Sequence, residues 1–141
     1  MIKINIIGGI FGTDGYSSHT RNLANALHKV ADCKLSTQIG PGWESKVNDA
    51  ELEMIQKKDR IDDYNLMITT PHNWKMYTGL GKNYAYIVWE GNKIPKSWLT
   101  ECLNPNINGI FCPSQHTIDS ILNTIKELTE EECKILMEKI I

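Results

Sequence analysis

Four short segments hold most of the residues that could do chemistry. The first runs Gly8-Gly9-Ile10-Phe11-Gly12-Thr13-Asp14-Gly15-Tyr16-Ser17-Ser18-His19. A glycine-rich loop lets backbone approach a ligand closely, and a helix that follows offers free N–H groups and a positive dipole end to a phosphate. Ser17, Ser18, His19 and Arg21 would add donors. The same pattern also serves a strand-turn-helix that needs glycines only to turn. The second segment is Pro71-His72-Asn73-Trp74-Lys75-Met76-Tyr77. There Trp74 and Tyr77 could stack on a sugar face, and His72 and Asn73 could bond its hydroxyls. Alternatively, Trp74 simply anchors an ordinary loop.

In the third segment Glu90 follows an apolar run and precedes Gly91-Asn92-Lys93-Ile94-Pro95. A carboxylate placed there can accept from hydroxyls or act as a base, or it can cap a helix or pair with Lys93. The fourth, Pro113-Ser114-Gln115-His116, reads first as a helix N-cap and second as a ligand contact for Ser114 and His116. The histidines His19, His28, His72 and His116 form no spaced metal motif. Neither a P-loop nor a G-x-S-x-G elbow is present. A dinucleotide site would want G-x-G-x-x-G and an acid closing the second strand. Here that strand ends Gln38-Ile39-Gly40.

The elements that must position these segments alternate along the chain. Ile2 to Ile7 is a branched apolar run stopped by Gly8-Gly9, the mark of a buried parallel strand. Ser17 or Ser18 can cap a helix to about Val30, with Leu23, Ala24, Ala26, Leu27 and Val30 as its apolar stripe. Further strands are expected over residues 34–39, 64–69, 84–89 and 107–112. Helices are expected from Asn48 or Asp49 to Lys58, over 95–103, and after Ser114. A last helix is expected from the Thr129 capping box onward. Such alternation predicts an α/β fold: a Rossmann-like, doubly wound parallel sheet of about five strands, ordered 3-2-1-4-5. Ligands in these sheets bind beyond the strand C-termini at the switch in strand order. Gly9, Tyr16, His72 and Glu90 should therefore share one rim.

The bulk properties agree with one such domain. The chain has 141 residues, 41% hydrophobic and 23% charged, with net charge -2. This gives no global pull toward nucleic acid. Cys33, Cys102, Cys112 and Cys133 make no C-x-x-C pair and read as reduced thiols of a cytosolic protein. No stretch is long and apolar enough for a membrane span; peripheral contact with a membrane stays open.

The ordered set of segments resembles the N-terminal domain of GT-B glycosyltransferases of the retaining family 4, or group 1. The likeness rests on Gly8-Gly9 through Arg21 with Leu23, Ala26 and Leu27. It continues in Tyr86-Ile87-Val88-Trp89-Glu90 with Ile94-Pro95 and Trp98, and in Ile110-Phe111-Cys112-Pro113-Ser114 with His116 and Ile118. It spans residues 1 to about 125, leaving 126–141 as a helical tail. The resemblance implies the acceptor-side half of an enzyme that moves a sugar from a nucleotide-sugar to a glycan, lipid or small hydroxyl acceptor. It implies no bound metal and no cofactor beyond that co-substrate. Gly9, Gly12 and Gly15, with Tyr16, Ser17, His19 and Arg21, would lie on the donor-phosphate side. His72 and Glu90 would lie near the reacting centre, with Asn73, Trp74, Ser114 and His116 toward substrate. The family's donor-binding domain has no counterpart in these residues. The half would need such a domain or a partner chain, and would be inactive alone. A non-catalytic binding or interaction module on the same fold, or another nucleotide-binding α/β protein, are the other readings.

Overall fold

The computed structural model describes every residue except Asp14, Asp59, Val88 and Glu90. Its centre is a five-stranded parallel sheet of β1 (Lys3–Ile7), β2 (Asp32–Ser36), β3 (Tyr64–Met67), β4 (Lys82–Tyr86) and β5 (Gly109–Phe111). Helices join them: α1 (Gly15–Leu27), α2 (Asp49–Gln56), the single turn α3 (Trp74–Tyr77), α4 (Lys96–Cys102), α5 (Gln115–Leu122) and α6 (Glu130–Lys139). The expected Rossmann-like α/β class is what forms.

The strand order is β2-β1-β3-β4-β5 rather than 3-2-1-4-5. The third strand pairs with β1, Ile4 against Tyr64 and Ile7 against Met67, instead of extending the sheet beyond β2. Bonds to β1 hold it there. Asp63 N donates to the Lys3 carbonyl and Lys3 N to Asp63 Oδ2, both at 2.9 Å, so the segment entering β3 is tied to the start of β1. Lys57 Nζ and Arg60 donate to the Cys33 and Asp32 carbonyls at 3.0 and 2.9 Å across the outer side, and β2 stays at the sheet edge. The switch in strand order moves to the gap between β1 and β3, and β1 is no longer the middle strand.

Alternate residues of each strand feed two cores. Ile6, Cys33 and Leu35 meet Ala24 of α1 and Met54 of α2 on one face. Ile7, Met67, Ala85 and Ile110 meet Trp74, Leu99, Ile121 and Leu136 on the other. The first helix starts two residues before Ser17 and ends at Leu27, so neither serine caps it. Val30 lies beyond it and is exposed. The second helix has the full capping box, with Asn48 and Glu51 exchanging bonds. Thr129 and Glu132 do the same at α6. The tail packs on the sheet domain: Leu136 is fully buried, Lys139 Nζ donates to the Cys102 and Asn104 carbonyls, and Ile140 bridges Ile110 in parallel.

Candidate functional site

Beyond β1 the strands part. Gly8 N still donates to the Ser36 carbonyl and Ile68 N to the Ile7 carbonyl, and past these bonds a cleft of about 410 Å³ opens. It sits at the C-terminal edge of the sheet, at the β1/β3 switch, where doubly wound sheets hold ligands. Ile7, Gly8 and Gly9 form its floor, Ser36, Thr37 and Gln38 one wall, and Thr69, Asn73 and Tyr77 the other. Gly8 is the glycine that the packing demands. A Cβ there would come within 2.8 Å of the Ile68 carbonyl oxygen and of Thr20 Oγ1. Gly15, by contrast, faces open space.

The wall after β3 is set by Trp74. Its ring is fully buried and its Nε1 donates to the Thr69 carbonyl at 3.1 Å. Trp74 is therefore the loop's anchor and presents no face to a sugar; Tyr77, half-buried on the cleft wall, is the available ring. Asn73 Nδ2 donates to Thr70 Oγ1 at 3.3 Å. His72 is exposed on the same turn, its Nε2 also 3.3 Å from Thr70 Oγ1. Across the cleft, Thr37 Oγ1 is buried without a hydrogen-bond partner, a state native structures rarely leave unexplained.

Several expected contacts lie elsewhere. Arg21 is committed to α2. Its Nε and NH2 reach the two Glu51 oxygens at 2.7 and 2.8 Å, and NH2 also donates to the Lys46 carbonyl. Glu51 is fully buried, and burial pushes its carboxyl up. Bonds from Arg21, the Asn48 backbone and Asn25 outweigh this and hold it below the ordinary value. Arg21 thus serves the α1–α2 packing. Ser17 is buried inside α1, Tyr16 packs against the α1-side core, and Gly12 and Gly15 are exposed outside the cleft. His19 lies on the α1 flank, its ring 5.6 Å from that of Tyr86. Ser114 caps α5 by accepting from Thr117 N, and His116 is exposed on that helix; neither borders the cleft. Glu90 lies outside the described residues. Gly9, Asn73 and Tyr77 are legible in the sequence as cleft residues; Ser36, Thr37, Gln38 and Thr69 carry no motif that marks them.

Among the described residues, no group of three or more His, Cys, Asp or Glu is placed to hold a metal ion, and no helix is long and apolar enough to cross a membrane. The four cysteines are free thiols; burial pushes Cys102 up to about 12 and Cys112 to about 11, so neither is a nucleophilic thiolate near neutrality. Compared with known proteins, the chain matches no family model, no curated protein and no solved structure.

Proposed function

We propose that the chain is the acceptor-side half of a retaining glycosyltransferase of GT-B type, binding a hydroxylated acceptor in the β1/β3 cleft. One observation supports this reading above others. The cleft at the switch point is lined by Gly8 and Gly9 and by neutral hydrogen-bonding groups, Thr37, Gln38, Thr69 and Asn73, with the Tyr77 ring beside them. Such a lining suits sugar hydroxyls, which both donate and accept. A nucleotide-sugar would be the co-substrate, held mainly by a donor-binding domain or partner chain. His72, exposed on the turn beside Asn73, would be the group for proton transfer in this reading, with Glu90, which follows the fourth strand in sequence.

A binding module without catalysis is the second reading. Its support is that no carboxylate, imidazole or cation lines the cleft among the described residues. Titration of the labelled protein with glucose and with nucleotide-sugars, followed through amide shifts, tests the site. Shifts at Gly8, Gly9, Thr37, Thr69 and Asn73 are expected with the sugar; shifts confined to the other sheet edge would remove the site. Nucleotide release from a donor panel separates the readings. Positioning of donor against acceptor is worth roughly 7 to 11 kcal/mol of a barrier, so the half alone should turn over negligibly. Robust turnover lost in Glu90→Ala would make these residues a complete enzyme.

A further inference from the structure

Below the cleft, on the same sheet face, a polar trough continues toward the N-terminal edge. Lys34 and Ser36 alternate with the buried Cys33 and Leu35, so both point away from α1 and α2. In the sheet register Lys34, Asn5, Asn65 and Asn83 form one row across four strands. The Asn65 and Asn83 amides of the row are engaged within the protein. Asn65 Nδ2 bonds the Leu80 carbonyl and Asn83 Oδ1, and Asn83 holds both N–H and carbonyl of Gly79. The Lys34 and Asn5 end opens into a pocket of about 240 Å³ that Arg60, Asp62 and Tyr77 also line. Tyr77 lines the upper cleft as well, and the Ser36 Oγ donor to Asn5 Oδ1, at 2.7 Å, joins the two.

The charges of this region leave one cation over. Lys57 and Arg60 are opposed by the carboxylates of Asp32 and Asp62. Nothing among the described residues forms a hydrogen bond or ion pair with the ammonium of Lys34, a residue in the middle of β2 that lines the pocket. Asp62, the carboxylate on the same pocket, is engaged by Arg60, so the Lys34 ammonium is available to an anionic group of a ligand.

We infer that the trough is a second subsite, in which Lys34 recognises a carboxylate or phosphate monoester carried by the hydroxylated ligand of the cleft. Lys34 lies two residues along β2 from Ser36, roughly 6.6 Å at strand rise, about the span from one sugar hydroxyl to a substituent across the ring. Asn5, whose Oδ1 is occupied by Ser36, has amide hydrogens left to donate to the same anionic group. The acceptor class is thus an acidic or phosphorylated sugar rather than a neutral one. This rests on the cleft being a sugar site.

The whole chain is titrated with glucose, glucuronate and glucose 6-phosphate at low salt. Amide shifts are read at Gly9, Thr37 and Asn73 for the cleft and at Asn5, Lys34 and Ser36 for the trough. At least one anionic probe should bind about five- to tenfold more tightly than glucose, as a charge-assisted bond allows. The preference should shrink with salt. It should vanish in Lys34→Met and persist in Lys34→Arg, with Lys34→Met still binding glucose as the native protein does. Which anion wins tells carboxylate from phosphate. Equal affinity for all three probes, or a preference kept in Lys34→Met, overturns the subsite and leaves the sugar cleft standing. Absence of cleft shifts with every probe overturns both.

Discussion

At the N-terminal edge of the sheet, Asp32, Lys57, Arg60 and Asp62 hold one another, whereas at the C-terminal edge Gly9, Thr37, Gln38 and Asn73 face an open cleft. Lys57 Nζ and Arg60 NH1 both reach Asp32 Oδ1, at 2.6 and 2.7 Å, and Arg60 NH2 approaches Asp62 Oδ1 at 2.8 Å. The charged edge is held by these ion pairs, although Arg60 Nε and Asp62 Oδ1 keep no hydrogen-bond partner there. Among the described residues, the neutral edge has one such buried atom, Thr37 Oγ1, and it borders the cleft. Ion pairs thus dominate one edge and neutral hydrogen-bonding groups the other. Lys34, on the edge strand β2, stands apart from both: among the described residues no carboxylate pairs with it.

The largest effect that could break this contrast is at Arg60. Replacing it by Ala leaves the Asp62 carboxylate, 4% exposed, without its cation and frees the Asp32 carbonyl. Stability should fall by about 3 kcal/mol, read as a lower urea midpoint. Sugar shifts at the cleft should be unaltered in the fraction that stays folded. A change below about 0.5 kcal/mol would mean the charged edge is solvated ornament.

Next comes Arg21, between the two regimes. Arg21→Ala would leave Glu51 with Asn25 and the Asn48 N–H only. The Arg21 side chain is itself 38% exposed and half in water, which moderates the loss to about 2 kcal/mol. Phosphate or diphosphate affinity should not change. A loss of that affinity with stability intact would return Arg21 to the ligand side.

Acid should act on the charged edge first. Hydrogen bonds from Lys57 and then Arg60 hold the Asp32 carboxyl down to about 2. Its folded value lies below the unfolded value of about 3.9. Its contribution is therefore complete above that value and is lost as pH falls through about 2. Glu51 adds a loss of the same sign, beginning below its unfolded value of about 4.3. Urea midpoints measured from pH 6 down to pH 2 should decline through this window. In Asp32→Asn the decline should be shallower, and an identical slope would show that the Asp32 pairs contribute nothing.

Much of the fold could be read from the sequence because apolar residues recur between turn formers, most clearly in β1, where Ile4, Ile6 and Ile7 precede Gly8-Gly9. The order of the strands could not. It turns on whether the third strand passes beyond β2 or back beside β1, and the bonds between Asp63 and Lys3, 60 residues apart, belong to the latter. The cleft was half legible for a related reason. Strands expected to run on through residues 34–39 and 64–69 hid Thr37, Gln38 and Thr69 inside sheet, yet β2 stops at Ser36 and β3 at Met67, which turns those residues into walls. Arg21 and Trp74 misled because their types suit ligands equally well. Only the partner of one, Glu51, and the complete burial of the other decide the matter.

The smallest stability effect carries the most information about the cleft. Thr37 Oγ1 is buried and unpartnered, so its desolvation is uncompensated in the free protein. Thr37→Val keeps the branched shape and removes that hydroxyl. Stability should hold or rise by up to about 1 kcal/mol, since deleting an unsatisfied polar atom removes a cost of that order. Sugar affinity should move the other way, falling about fivefold if the hydroxyl bonds the ligand. Opposite signs in a urea melt and a sugar titration are what a group kept for a ligand produces at the expense of the fold. A loss of stability would mean that Thr37 bonds within the protein. Unchanged affinity would move the ligand to the Asn73 wall and leave the orphaned hydroxyl as a packing defect.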